Sequence, residues 1–144
     1  MFSKACEYGI RAMTFIASAS EKGRRVSLKE IAEEIDSPSA FTAKILQQLS
    51  KNSLVDSSKG PFGGFLIPLD RLNSITLQNI VFAIDGDAVY NGCGLGLKQC
   101  SEKQPCPVHF EFKKVRDDLK KMLQSTSIQD LASKLNNKTA TLKR

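Results

Sequence analysis

Four cysteines and one histidine carry most of the chemistry open to this 144-residue chain. Cys93, Cys100 and Cys106 lie close together, and with His109 they read C-x6-C-x5-C-x2-H. His109 follows Cys106 by about one helical turn, so the two side chains can point the same way from a helix start. Gly92, Gly94 and Gly96 let the backbone curl around a ligand. Thiolates prefer soft or borderline metals, and imidazole adds a nitrogen donor. Three chemistries fit this set. A closed Cys3His zinc site would be redox-inert. An iron–sulfur cluster would be redox-active. A bare group of thiols would react with oxidants directly. Spacing alone does not choose between zinc and iron–sulfur. Structural cysteines usually sit in apolar runs, whereas this loop is polar and rich in glycine.

The elements that must position the loop follow from periodicity. After it, Val108, Phe112, Val115, Leu119 and Met122 are spaced four, three, four, three. That is a narrow heptad seam, suited to a helix over 108–124 that pairs with a second copy. Ser127-Ile128-Gln129-Asp130 carries a capping signal for a last helix that buries Ile128, Leu131 and Leu135. The tail from 137 to 144 is polar and basic, and is expected to be mobile.

Before the loop, Phe2, Cys6, Ile10, Met13 and Ile16 share one helical face. Ser27 and Glu30 suggest a capping box for a short helix with Leu28, Ile31, Ala32 and Ile35 inward. That helix stops at Pro38. A third begins near Ser39, with Phe41, Ile45, Leu46 and Leu49 as its buried stripe. Two short helices joined by a tight turn form a helix-turn-helix. Leu54–Ser58 and Phe65–Leu69 read as strands. The turn Lys59-Gly60-Pro61-Phe62-Gly63-Gly64 between them suits a hairpin tip. A helix-turn-helix followed at once by a hairpin is the winged-helix order. Thr76 caps a fourth helix with Leu77, Ile80, Val81 and Ile84 inward.

The net charge of +6 favours a polyanionic partner without proving one, because the charge is spread along the chain. No apolar run is long enough to span a membrane, and the start has no signal-peptide pattern. A cytoplasmic protein is expected. In a reducing compartment its cysteines are not a disulfide framework.

Together these motifs resemble the Rrf-type winged-helix transcriptional regulators, the family of IscR-like and NsrR-like iron–sulfur regulators. The matching stretches are Ser3-Lys4-Ala5-Cys6-Glu7-Tyr8-Gly9-Ile10-Arg11-Ala12, the segment from Lys44 to Val55, the wing from Ser58 to Phe65, and the cysteine loop. The resemblance implies a mainly α fold with a small β-hairpin wing and a long C-terminal dimerisation helix. It implies a DNA-binding part over 1–86, a cluster-binding loop over 87–107, and the dimerisation and last helices over 108–136.

It further implies a homodimer on a double-stranded DNA operator, acting as a repressor. Ser39, Ala40, Phe41 and Lys44 would face the major groove, with Ser39 either on a phosphate or capping the helix. Phe41 is open to core packing as well. Lys59, Gly60 and Pro61 would reach the minor groove. Lys59 replaces an arginine common at the wing and lacks its planar fork. A [2Fe-2S] cluster would sit on Cys93, Cys100 and Cys106, completed by His109, with Glu7 a lesser alternative. The x6 spacing is one residue longer than the commonest x5, which a glycine loop can absorb. Cys6 is no ligand in the family and is expected to pack in the first helix.

Three rivals remain on the residues alone. One is a zinc-stabilised or cluster-free DNA-binding protein without sensing. Another is a redox enzyme or electron carrier, though no nucleotide-binding glycine motif or catalytic constellation supports it. The last is a winged helix that binds a protein.

Overall fold

A computed structural model describes all 144 residues. In chain order the elements are α1 (Lys4–Glu21), α2 (Leu28–Glu34), α3 (Ser39–Lys51), β1 (Asp56–Ser58), β2 (Gly64–Leu66), a 3₁₀ turn (Leu69–Arg71), α4 (Leu77–Asp85), α5 (Ala88–Asn91), α6 (His109–Ser125) and α7 (Ile128–Asn136). The fold is mainly α, a winged helix-turn-helix with a two-stranded hairpin and a long helix late in the chain.

Side-chain caps place four of the helices. Ser3 accepts from the Cys6 N–H, and Ser27 accepts from the Glu30 N–H. Thr76 with Asn79, and Ser127 with Asp130, form reciprocal capping boxes. The box expected at Ser27 is only half made. The Glu30 carboxylate instead makes its short ion pair with Arg24, 2.7 Å distant.

The core gathers around α1. Met13, Ile16 and Ala17 are fully buried, against Ile31 and Ile35 of the α2 region, Leu46 and Leu49 of α3, and Ile80 of α4. At Gly9, α1 comes so close to α4 that a Cβ would stand 2.3 Å from Ile84 Cδ1. In α3 the buried stripe is Thr42, Ile45, Leu46 and Leu49. Phe41, expected inside that stripe, is half-buried and packs edge-on to Tyr8 at 5.6 Å between ring centroids.

The hairpin is shorter than expected. Leu54 and Val55 are buried before β1 begins, and the pairing runs Asp56 with Leu66, Ser57 with Phe65 and Ser58 with Gly64. Pro68 has no N–H for a ladder, and the chain enters the 3₁₀ turn after it. Val26 extends the wing as an isolated bridge: its N–H donates to Phe65 O at 3.1 Å and its carbonyl accepts at 2.8 Å. Gly64 is required at that crossing. Its φ is 124°, and a Cβ would lie 2.6 Å from the Val26 carbonyl oxygen.

The late helices go to different places. α6 buries Leu123, while Phe110, Phe112, Val115 and Met122 stay exposed. α7 returns to α1, where Asn136 donates to Glu21 Oε2 at 2.5 Å and to Ser18 O at 3.3 Å. Of its expected stripe, Ile128 is fully buried and Leu131 and Leu135 are partly buried, with Ala132 taking the central place. The tail, expected to be mobile, lies along the start of the molecule. Arg11 donates to Ile35 O at 2.9 Å and Leu142 O at 3.5 Å, and Lys143 donates to Glu33 O at 3.2 Å. No helix is long and apolar enough to cross a membrane.

Candidate nucleic-acid interface and cysteine loop

The turn between α2 and α3 spans 35–38 and is braced from within. Thr42 Oγ1 donates toward Pro38 O at 2.8 Å and lies 2.7 Å from Ser37 Oγ. The N-cap position of α3 is Pro38, which offers no side-chain cap, and Ser39 does not cap the helix. The start of α3 is therefore left with backbone donors and the positive end of its dipole toward solvent. Ser39, Ala40 and Lys44 are exposed on that outer face.

Beside it stands the wing. Lys59, Gly60, Pro61 and Phe62 form the exposed tip. Gly60 has φ 95°, and a Cβ on Gly63 would lie 2.3 Å from Ser58 O, so the tip has little freedom to take other residues. Phe62 is 94% exposed, which leaves a whole aromatic ring in water at the most protruding turn. It lies outside the expected contact set of Lys59, Gly60 and Pro61. An aromatic residue set between glycines in a turn was the available signal.

The cysteine loop runs from α5 to α6 and leans on α6 throughout. Two of its donors come into direct contact. Cys100 Sγ lies 3.3 Å from His109 Nδ1. The Cys93 thiol is held below its ordinary pKa of 9.0, first by the Leu95 N–H and then by the Leu97 N–H. The Leu95 N–H reaches Cys93 Sγ at 3.4 Å.

His109 thus pairs with Cys100, not with Cys106 as one helical turn would place it. The reason is local: Pro107 and the N-cap Val108 keep 106–108 outside the helix. His109 is only 4% exposed, and its Nε2 has no partner. No three cysteine, histidine or acidic side chains form a group that could hold a metal ion as they stand. The donor set still fits a thiolate-bound cluster in kind, since three sulfurs and an unsatisfied imidazole nitrogen share one loop.

Glu7 is exposed on α1 and pairs with Lys4 at 3.6 Å. Cys6 is fully buried, and its thiol is pushed up to about 12 by burial first and by the nearby Asp85 carboxylate second. It packs in α1, as expected.

The loop has a second set of partners that apolar periodicity hid. A Cβ on Gly94 would stand 2.5 Å from the Phe112 ring. Arg116 donates to Gly92 O, to Asn91 O at 3.3 Å and to Cys100 Sγ at 3.3 Å. Lys120 reaches Asn91 Oδ1 at 3.3 Å. Phe112, Arg116 and Lys120 recur every four residues, so one stripe of α6 grips α5 and the loop. Val115 and Met122 remain exposed beyond that stripe, at 65% and 43%.

Comparison with known proteins agrees with this architecture. Residues 2–134 match the Rrf2 family, described as iron-dependent transcriptional regulators. A protein of Aquifex aeolicus (strain VF5), described as an HTH-type transcriptional regulator, is 34% identical over 134 residues, covering 91% of this chain and 90% of its own length. The HTH-type transcriptional regulator IscR of Photorhabdus laumondii is 29% identical over 126 residues, covering 88% of this chain and 75% of its own. Among solved structures, CymR, the global cysteine regulator of B. subtilis, superposes with a TM-score of 0.75 at 24% identity, covering 92% of this chain and 96% of its own. IscR of T. potens gives 0.74 at 22% identity, covering 98% and 92%. At such identities the solved structures speak for the fold. The family consists of regulators and not of enzymes. On a match that takes in the winged helix, the cysteine loop and α6 alike, this chain belongs to the Rrf2 family of transcriptional regulators.

Proposed function

We propose that the chain represses transcription as a homodimer on a double-stranded DNA operator, and that it reads iron–sulfur, redox or nitric oxide status through a [2Fe-2S] cluster. The observation that carries the sensing part is the unpartnered Nε2 of buried His109. A buried polar atom without a partner costs about 1–3 kcal/mol, and a ligand bond at this end of the loop would relieve it. Cys93, Cys100, Cys106 and His109 would hold the group, with Glu7 the lesser candidate for the fourth place. The cluster, when bound, supplies one-electron chemistry and sensitivity to oxidants. Holding it would require all four donors to gather into one group, which they do not form as they stand.

On the DNA side, Ser39, Ala40 and Lys44 would enter the major groove, with the start of α3 near a phosphate. Phe41 belongs first to Tyr8 and only secondarily to the groove. Lys59, Gly60 and Pro61 would approach the minor groove. The exposed Val115 and Met122 suit pairing of α6 with a second copy, so that two α3 helices lie about one DNA turn apart. A change at the loop, which leans on α6, would then tilt both helices together. Such a regulator works in the cytoplasm.

A second reading is a zinc-stabilised or cluster-free regulator without redox sensing. The lack of a three-donor group favours its cluster-free form, since zinc too would need the donors gathered.

Anaerobic purification followed by a visible spectrum and iron, sulfide and zinc analysis decides between them. Visible bands with iron and sulfide are expected. A colourless zinc protein would establish the second reading. Selection of genomic DNA with loaded and cluster-free forms then tests the switch. A Cys93→Ala, Cys100→Ala, Cys106→Ala triple variant that bound every operator like the loaded protein would sink it.

A further inference from the structure

We propose that Arg116 is a positioning residue that fixes the cysteine loop to α6 and holds the Cys100 sulfur by an N–H···S hydrogen bond. The guanidinium is planar and presents its donors as a fork. One arm, Nη1, is taken by the carbonyls of Gly92 and Asn91, the latter at 3.3 Å. The other arm, Nη2, is taken by Cys100 Sγ at 3.3 Å. Its Nε is buried with no partner, so the terminal nitrogens alone make these bonds. Arg116 therefore ties the start of the loop to its middle, and ties both to a single point on α6.

The surroundings leave this contact little slack. Gly92 presses on α5, where a Cβ would stand 2.5 Å from Ala88 O. One turn before Arg116, Phe112 lies under Gly94; one turn after it, Lys120 holds Asn91. His109, two turns earlier on the same face, approaches Cys100 at 3.3 Å. One sulfur is thus held by two side chains of one helix, and a displacement of Cys100 is delivered to α6 directly.

The part of this inference that concerns a bound cluster rests on the iron–sulfur reading above. An N–H···S bond to a ligating thiolate draws electron density from the sulfur and raises the reduction potential. The anchoring of the loop needs no cluster. Arg116→Gln removes the charge and the fork. Arg116→Lys keeps a charge but a single point donor, and restores part of the hold.

Two measurements on the full chain test the two parts separately. In cluster-free protein, a lysine-specific protease is applied, and the fragment ending at the exposed loop residue Lys98 is followed by mass spectrometry. Cleavage there is expected to rise about tenfold in Arg116→Gln and less in Arg116→Lys, as the loop opens more often. Melting temperatures measured alongside should stay close to wild type, since Arg116 lies outside the core. Unchanged cleavage in Arg116→Gln would overturn the anchoring role whether or not the protein binds a cluster. In anaerobically reconstituted protein, a more negative reduction potential and an altered visible circular dichroism spectrum are expected for Arg116→Gln, with Arg116→Lys between. An unchanged potential would overturn the N–H···S role. A wild-type chain that takes up no cluster would end that role too, and the Lys98 cleavage result would still stand on its own.

Discussion

Gly94 lies flat on the ring of Phe112, so close that a Cβ on the glycine would meet three ring carbons at 2.5 to 2.8 Å. No side chain fits between loop and helix there. Gly94→Ala is therefore expected to push the loop off α6 or to turn the ring outward. Because Phe112 is 42% exposed, the cost to global stability should stay below about 1 kcal/mol. The effect belongs to the loop: faster proteolysis at Lys98 and weaker retention of any bound metal. Gly94→Ala with Phe112→Ala should restore slow cleavage. If the double variant is looser than Phe112→Ala alone, the clash with the ring is not what loosens Gly94→Ala.

A comparable approach occurs in the core. An alanine at Gly9 would place its Cβ 2.3 Å from Ile84 Cδ1. Overpacking of this kind costs about 1–3 kcal/mol, against about 1 kcal/mol gained in helix propensity. Gly9→Ala should lower stability by about 1 kcal/mol in urea denaturation. Ile84→Val deletes the offending methyl, so the pair of substitutions should recover most of the loss. A Gly9→Ala variant more stable than wild type would mean that α1 and α4 yield freely.

Cys6 makes a pH prediction. Its thiol is pushed up to about 12 from 9.0 by burial and by Asp85. Below the ordinary value the thiol is neutral in folded and unfolded chains alike, and its contribution is complete. Between about 9 and about 12 only the unfolded chain ionises, so stability falls as pH rises through that window. The fall in urea midpoint on going from about pH 8 to about pH 10.5 should be smaller in Cys6→Ala. At neutral pH a thiol reagent should modify Cys93, Cys100 and Cys106 in the native protein and spare Cys6. Equal rates for all four would show that the buried thiol is accessible.

The wing lets binding and folding be tested separately. Phe62 is 94% exposed, so Phe62→Ser should alter stability by less than about 0.5 kcal/mol. If the tip enters a groove, the same substitution should weaken operator binding measurably. Lys59→Ala should weaken binding to all sequences and reduce the salt dependence by about one unit of slope. Binding and salt slope that match wild type in both variants would remove the wing from the interface.

The winged helix was legible because each element carries a local signal. Ser27, Thr76 and Ser127 stand at helix starts, and the glycines of the tip occupy positions that backbone geometry reserves for them. The cysteine loop was legible as a donor set but not as a geometry. Nothing local in C-x6-C-x5-C-x2-H says that Cys100, and not Cys106, meets His109, since that pairing depends on how the loop folds back on α6. Arg116 was invisible for a related reason. The apolar repeat on α6 runs through Val115 and Leu119 and passes over the charged Arg116 between them, whose long side chain reaches Cys100. Phe41 shows the opposite failure, a large apolar residue on the expected face that packs on Tyr8 because Thr42 takes the buried position.

The return of α7 to α1 has a consequence for how the molecule is made. Glu21, at the end of the first helix, finds its partners in Gln129 and Asn136, and Arg11 finds one in Leu142. Synthesis runs from the amino end, so the winged helix emerges long before the segment that closes over its back. During that interval a face of α1 is bare on the ribosome, open to chaperones or to premature contacts. The completed fold thus arrives late in the life of each new chain, and a truncated product from an interrupted message would carry α3 and the wing on an unfinished scaffold.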